Sequence, residues 1–352
     1  MPITVETLPW DSCAPDARAF WAAAVDAGSV DLSCGAQWTE LSANVLDRRD
    51  TLAVAIARDA EGVVAVLPFY RDRRVINRIP VRTIELAGNM VSYHQEAIGS
   101  AWVELFNHCV GELWQDWDVV IGANLLTDGV AHTAFTTVQH HDKLFRQERA
   151  GDTSPYIELS GEWTSYLAGK PGPFRSLVKR RDRRLSELGV ATTRWYRDEA
   201  AVAELLSAML AIEDRSWKVD SGMNIKASGD EARYYAALLP WLARAGRLAA
   251  NVEMLDDNPL AYSLCYLQNR RYAQLKTSFD NEYRQVGIGM VALKNSVVDA
   301  YSHGCTEYDF LGDSMRHKLE WATHQRAHVA CFLFGGSLRG RALGLAKAWF
   351  GR

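Results

Sequence analysis

The chain has 352 residues, 48% of them hydrophobic, and a formal net charge of -4. Such a length accommodates two domains with sizeable buried cores. The charge balance excludes a protein that coats nucleic acid or membrane by overall basicity, so any polyanion must be met by a local patch.

The six cysteines, Cys13, Cys34, Cys109, Cys265, Cys305 and Cys331, are scattered. They form no C-x-x-C pair and no metal-ligand spacing, the usage of thiols kept reduced in a cytoplasm. The opening MPITVETLPWDSC carries acids and no apolar h-region, and no window approaches about 18 uninterrupted apolar residues. Neither a signal peptide nor a spanning helix is expected, and the expected location is the cytoplasm.

In chain order, TLAVAIARDAEGVVAVLPFYRDRRV reads as two strands flanking a turn at Asp59-Ala60-Glu61-Gly62. VRTIELAG is a third strand. AWVELFNHCVGELWQ has helical spacing at Trp102, Leu105, Phe106, Cys109, Val110 and Leu113, and WDVVIGANL is a short buried strand. A polar stretch, RQERAGDTSPY, marks a boundary near residue 150 and divides the chain into units 1–150 and 151–352.

The second unit opens with GKPGPFRSLVKRRDRRLSELG, a Gly/Pro-rich entry into a basic helix ending at Gly189, followed by a helical pattern from Ala200 to about Trp217. RLAANVEMLDDNPLAYSLCYLQNRRYAQLKTSFD then repeats strand, turn and strand. VALKNSVVDAYSHG is a helix closed by Gly304, and EYDFLG is a strand. Offsetting by 196 aligns Leu52 with Leu248, Ala53 with Ala249, Ala65 with Ala261 and Arg74 with Arg270, and the pairs Trp117-Asp118 and Tyr308-Asp309 recur after each helix. The halves read as a weak internal duplication.

Between the last long strand and its helix lies Arg284-Gln285-Val286-Gly287-Ile288-Gly289. Glycines at a helix start free the backbone N–H groups for an anion. Gly-x-Gly-x-x-Ala also fits a dinucleotide fingerprint, with Asp309 twenty residues past Gly289 as the ribose acid. Against that stand the polar DNEYRQ between strand and glycines, and a remainder too short for further βαβ units. A plain ligand-free turn is the other alternative.

The R/Q-x-x-G-x-G/A pattern between strand and helix resembles motif A of the GNAT acyltransferases at every defined position. The basic helix, the tail YDFLGDSMRHKLEWA and the two-unit layout resemble the twin-domain CelD-like or FemAB-like branch associated with cellulose and exopolysaccharide loci. The resemblance covers about residues 150 to 330; the first half fits by layout alone, with SYHQEAIGSAW where a second loop would stand. It implies an α+β fold of two tandem GNAT-like units, each a mixed, mostly antiparallel sheet flanked by helices. It also implies one acyl-CoA per chain, held by residues 284–289, whose acyl group is attacked directly by an amine or hydroxyl of a sugar, amino compound or envelope precursor.

Within that resemblance, Asp313 is the preferred base, His317 the alternate, and Lys318 a point charge for an anionic group. His94, at a strand end of the first unit, is a candidate for acting on the acceptor. A charged surface turn and a solvated loop histidine are the bland alternatives. His317, Glu320, His324 and His328 lack an H-E-x-x-H arrangement, so no metal is assigned. KRRDRR (179–184) reads first as a solvated face, and otherwise as a contact for donor phosphates, a lipid-linked sugar or tRNA. The C-terminal GSLRGRALGLAKAWFGR is amphipathic, either packing on its own domain or resting on the inner face of a membrane. Two further functions stay open: a non-catalytic module of polysaccharide assembly, and an aminoacyl-tRNA-dependent transferase.

Overall fold

The computed structural model describes residues 2–76, 78–88, 93–114, 116–138, 144–222, 224–226, 229–335 and 337–350. The chain forms two compact units, Met1–Thr153 with Arg326–Arg352, and Ser154–Gln325.

The first unit begins with β1 (Thr4–Pro9), α1 (Pro15–Asp26) and α2 (Ala36–Val45). Pro15 starts α1 at a position where no backbone N–H is needed. The expected hairpin follows as β2 (Leu52–Asp59) and β3 (Gly62–Ile76), then β4 (Ile79–Leu86) and the two-residue β5 (Ile98–Gly99). The predicted helix is α3 (Trp102–His108), continued by a wide π turn over Cys109–Leu113. β6 (Val119–Leu126), α4 (Val130–Thr137) and β7 (Phe145–Glu158) complete the half. Trp102, Phe106, Phe69, Trp117 and Phe135 are buried together in its core.

The second unit contains α5 (Trp163–Gly169), the basic helix α6 (Gly172–Ser186), β8 (Ala191–Tyr196), α7 (Val202–Glu213), α8 (Lys218–Ser221) and α9 (Gly229–Arg244). The single helix expected from Ala200 to Trp217 is thus interrupted, because Glu213 is drawn fully inside to meet Lys218 and Tyr262, at 2.8 and 2.6 Å. A buried carboxylate needs such partners, and the turn supplies one of them. β9 (Leu248–Leu255), β10 (Asn258–Gln268), β11 (Arg271–Phe279), α10 (Ile288–Ser302), β12 (Glu307–Asp309) and α11 (Arg316–Trp321) follow, then β13 (His324–Phe334) and α12 (Leu338–Phe350). The inner face of α10, including Val291, Leu293 and Val297, packs into the core of this unit.

Strand order runs β1-β2-β3-β4-β6-β13 in the first unit and β8-β9-β10-β11-β12-β7 in the second. In each unit one strand pair is parallel, β4 with β6 and β11 with β12, and the other strand pairs within each unit are antiparallel. This is the expected α+β architecture. The offset of 196 holds at the start of β2 against β9 and of β3 against β10, then is lost as loop lengths diverge. The aromatic–aspartate pairs are not equivalent: Asp118 precedes β6 by one residue, whereas Asp309 ends β12.

The boundary differs from the expected one in a specific way. β13, at the far end of the sequence, lies along β6 (Phe332↔Ile121, Leu333↔Val120), so residues 326–352 belong to the first unit and not to 151–352. Conversely, the last residues of β7 pair with β12 (Ile157↔Tyr308). The first unit's sheet is thus completed by a strand from the far end of the sequence, whereas the part of β7 that pairs with β12 already lies within the second unit.

Candidate acyl-donor site in the second unit

β11 pairs with β12 over only three residues, Arg271↔Glu307 to Ala273↔Asp309. It remains paired with β10 through to Phe279, but the register slips at Leu275: Gln274 faces Cys265 and Lys276 faces Leu264. An extra residue bends and twists the strand that carries it. The bulge falls two residues past Ala273, the last residue paired with β12, so residues 274–279 run on beyond β12 and leave a wedge opening toward the start of α10. Ser278 lies in this stretch, 2% exposed, and its hydroxyl has no hydrogen-bond partner within the protein. A buried polar group of this kind awaits a ligand or water. Lys218 Nζ donates to the Thr277 carbonyl, 2.8 Å, and burial pushes its pKa down.

Among the described residues the first unit shows no such opening. β3 and β4 pair without a register shift, and the Gln95 N–H donates to the Asn124 carbonyl, 2.9 Å, so the segment after β4 lies against β6.

Beyond the wedge, the two glycines of the predicted loop serve different ends. Gly287 caps α10 at φ +80, ψ +40, a left-handed conformation that favours glycine. A Cβ there would stand 2.4 Å from Arg181 Nε. Gly289 is a packing glycine, since a Cβ would meet the Phe279 ring at 2.8 Å. Ile288 is buried, with Val286 packed beside it, and together they anchor the loop. The N–H groups of Val286 and Gly287 are spent on the Tyr283 carbonyl, leaving those of Ile288 and Gly289 as first-turn donors that the helix does not satisfy.

The basic helix α6 is drawn into this site. Arg181 and Arg184 both donate to the Gln285 carbonyl, and Asp182 pairs with Lys294 of α10 at 2.8 Å. Burial, with the charges of Arg184 and Arg180, pushes the pKa of Arg181 down from the usual arginine range. With the exposed Arg284, the loop gathers three guanidinium groups at the positive end of a helix. Sequence spacing spread the charges of KRRDRR around its helix and could not single out Arg181 and Arg184; Ser278 carried no sequence signal.

Asp309 is fully buried and accepts from the Leu311 N–H at 2.8 Å and Ser154 Oγ at 3.2 Å, with Arg271 Nη2 3.4 Å away. Those bonds fix the turn after β12, which passes through Leu311 (φ 47) and Gly312 (φ 59). A ribose-binding role for Asp309 is ruled out by this burial. Asp313 and His317 follow on the exposed side of the turn, and Lys318 Nζ donates to the Leu311 carbonyl, 2.6 Å. Lys318 thereby braces the turn. Crowding by the surrounding chain, then the Lys318 charge, lower the pKa of His317 below 6.5.

His94 lies in the first unit, 2% exposed, with its Nδ1 2.9 Å from His328 Nε2. His328 Nδ1 in turn lies 3.1 Å from the Asp152 carbonyl, and Cys34 Sγ donates to the His94 carbonyl at 2.8 Å. The ring is engaged inside its own unit and is not presented to solvent. Residues 89–92 of the preceding NMVSYHQEA segment lie outside the described residues. One grouping of metal-binding types occurs among the described residues, His132, Glu148 and Cys331, with ligand atoms within 4.8 Å of one another. Burial pushes the Cys331 thiol up to about 12, which keeps it protonated.

A split parallel pair, a bulged strand and a glycine-capped helix, found together in the second unit, are the arrangement of the GNAT acyltransferase fold. Residues 173–319 match the family model of the acetyltransferase (GNAT) domain, and the second unit is a GNAT domain. No curated protein matches the sequence. Among solved structures the whole chain is similar to FemX (TM-score 0.60, 12% identity, 97% of this chain and 99% of that one). It is also similar to a conserved protein of unknown function from Bacteroides thetaiotaomicron (0.54, 12%, 95% and 100%). A third is the C-terminal domain of a putative lysylphosphatidylglycerol synthetase from Agrobacterium fabrum (0.53, 8%, 88% and 91%). At these identities the likeness is one of fold. No helix among the described residues is long and apolar enough to cross a membrane.

Proposed function

We propose that the second unit binds an acyl-CoA and transfers its acyl group to an amine or hydroxyl of a sugar, amino compound or envelope precursor by direct attack. The observation that carries this reading is the continuity of the bulge-opened wedge with the glycine-capped helix and its three arginines. The N–H groups of Ile288 and Gly289, with Arg181, Arg184 and Arg284, would receive the pyrophosphate. The pantetheine arm would lie along the free edge of residues 274–279, as an added strand does on an open sheet edge. That leads the thioester toward Ser278 and the turn bearing Asp313 and His317. Of those two proton acceptors, His317 has the surroundings suited to the role, because its lowered pKa keeps a lone pair available at neutral pH. Asp313 would orient the acceptor.

Calorimetric titration with CoA, paired with release of free thiol from acyl-CoA in the presence of candidate amines and hydroxyls, tests the reading. Absence of CoA binding to the folded protein would sink it and favour a non-catalytic module. A second reading, an aminoacyl-tRNA donor, is favoured by the exposed Lys179, Arg180 and Arg183 on α6, which the loop does not use. Salt-sensitive binding of tRNA without binding of CoA would establish it in place of the first.

A further inference from the structure

The β3–β4 hairpin of the first unit has two faces of opposite electrostatic character. On one, Asp72 and Glu85 are met by Arg48 and Arg74: Arg48 lies 3.0 Å from Glu85 and 3.3 Å from Asp72, and Arg74 lies 2.6 Å from Glu85. Two acids balance two bases. On the other face Arg71 stands opposite Ile84, and Arg73 stands directly opposite Arg82. Like charges facing each other across a strand pair destabilise it unless something lies between. Arg339 and Arg341 of α12 border the same space.

Arg82 has acidic partners, buried Asp118 at 3.4 Å and exposed Asp116 at 3.8 Å. The five arginines line two adjoining cavities of about 400 and 720 Å³, which share Arg73, Arg82 and Asp116 in their walls. Trp114, Trp117 and Ile84 supply an apolar floor to the smaller one. At the rim of the larger stands Leu338, 83% exposed, and Leu345, seven residues on and 63% exposed, lies on the same side of α12.

We propose that this groove binds a phosphate-bearing group attached to an apolar body. Planar guanidinium groups bind phosphate in paired hydrogen bonds, and a bound phosphate offsets the Arg73–Arg82 repulsion that the bare hairpin carries. The tryptophan floor and the leucines of α12 receive the apolar part. The source is either the headgroup of an anionic lipid in a bilayer, with α12 lying at the surface, or a soluble phosphate ester. This site is separate from the donor loop of the second unit, and its existence does not depend on the nature of the donor.

The test uses the full-length protein carrying Arg181→Ala, Arg184→Ala and Arg284→Ala, which removes the donor loop's cations from the measurement. Inorganic pyrophosphate is titrated calorimetrically, and flotation is measured with phosphatidylcholine vesicles with and without phosphatidylglycerol. Adding Arg73→Ala and Arg339→Ala should weaken pyrophosphate binding at least tenfold, abolish any phosphatidylglycerol-dependent flotation, and leave the melting temperature unchanged or raised. Flotation that requires phosphatidylglycerol supports the lipid source, and pyrophosphate binding without flotation supports the soluble ester. If the added substitutions alter neither signal, or if neither probe binds before they are made, the groove is not a phosphate site. A lowered melting temperature with both signals intact assigns the arginines to structure alone and likewise overturns the proposal.

Discussion

Gly287→Ala separates the backbone of the donor loop from its charges. At φ +80 a Cβ costs roughly 1–2 kcal/mol, the penalty of left-handed backbone. The new methyl would lie 2.4 Å from Arg181 Nε and 2.5 Å from Arg181 Cδ. Because that contact is with a long flexible side chain, it is relieved by Arg181 swinging away from the Gln285 carbonyl, at little further cost to the fold. The melting temperature of the second unit should therefore fall by about 2–8 °C. CoA should lose one charge-assisted hydrogen bond worth about 1.5–3 kcal/mol, or roughly 10- to 150-fold in Kd. Calorimetry reads the affinity and a thermal melt reads the stability. Arg181→Ala, free of backbone strain, should reproduce the affinity loss without the drop in melting temperature. A folded Gly287→Ala protein that binds CoA as tightly as the parent would refute the placement of the pyrophosphate at this loop.

Gly289→Ala should do the reverse, lowering the melting temperature through overpacking against Phe279, at roughly 1–3 kcal/mol, while changing CoA affinity little; a large affinity loss would show that Gly289 faces the ligand. His317→Gln should lower kcat far more than CoA affinity, whereas Asp313→Asn should mainly raise KM for the acceptor; an unchanged kcat in the first would move the base elsewhere. Since the folded pKa of His317 lies below 6.5, kcat should rise with pH and level off before neutrality, and stability should fall as pH drops from about 6.5 through the folded pKa, because the unfolded chain takes up the proton first. A fragment ending at Thr153 should fail to give a cooperative melt, because β6 then lacks β13 and the core lacks Cys331 and Leu333; a sharp transition in that fragment would contradict the strand assignment.

Much of this architecture was legible from local signals. The hairpins β2–β3 and β9–β10 are written as apolar runs around acidic turns, and α10 as a glycine start, helical spacing and a glycine stop. The strand-to-helix turn at 284–289 could be read from its glycines, but that Gly287 caps the helix and Gly289 packs on Phe279 could not. What could not be read depends on partners far apart in sequence. AHVACFLF is plainly a strand, but nothing in it says that it lies along β6. The bulge at Leu275 comes from a register fixed by β10 and β12, and the roles of Arg181 and Arg184 come from the packing of α6 on α10. His94 was legible as a polar residue near a strand end; its burial against His328, 234 residues away, was not.

The late position of β13 bears on how the chain is made. As the protein leaves the ribosome, β6 emerges long before its neighbour, because β13 (His324–Phe334) lies beyond almost the whole of the second unit. At 5–20 residues per second the first half waits roughly 10–40 s with the edge of β6 unpaired. Ser154–Gln325, by contrast, has all its strands to hand as soon as it is out. The order of completion is therefore the reverse of the order of translation: the later-made unit closes first, and the earlier-made one is finished by a strand made after it. A nascent first unit with an open strand edge is the stage at which this protein is most exposed to mispairing with another copy of itself.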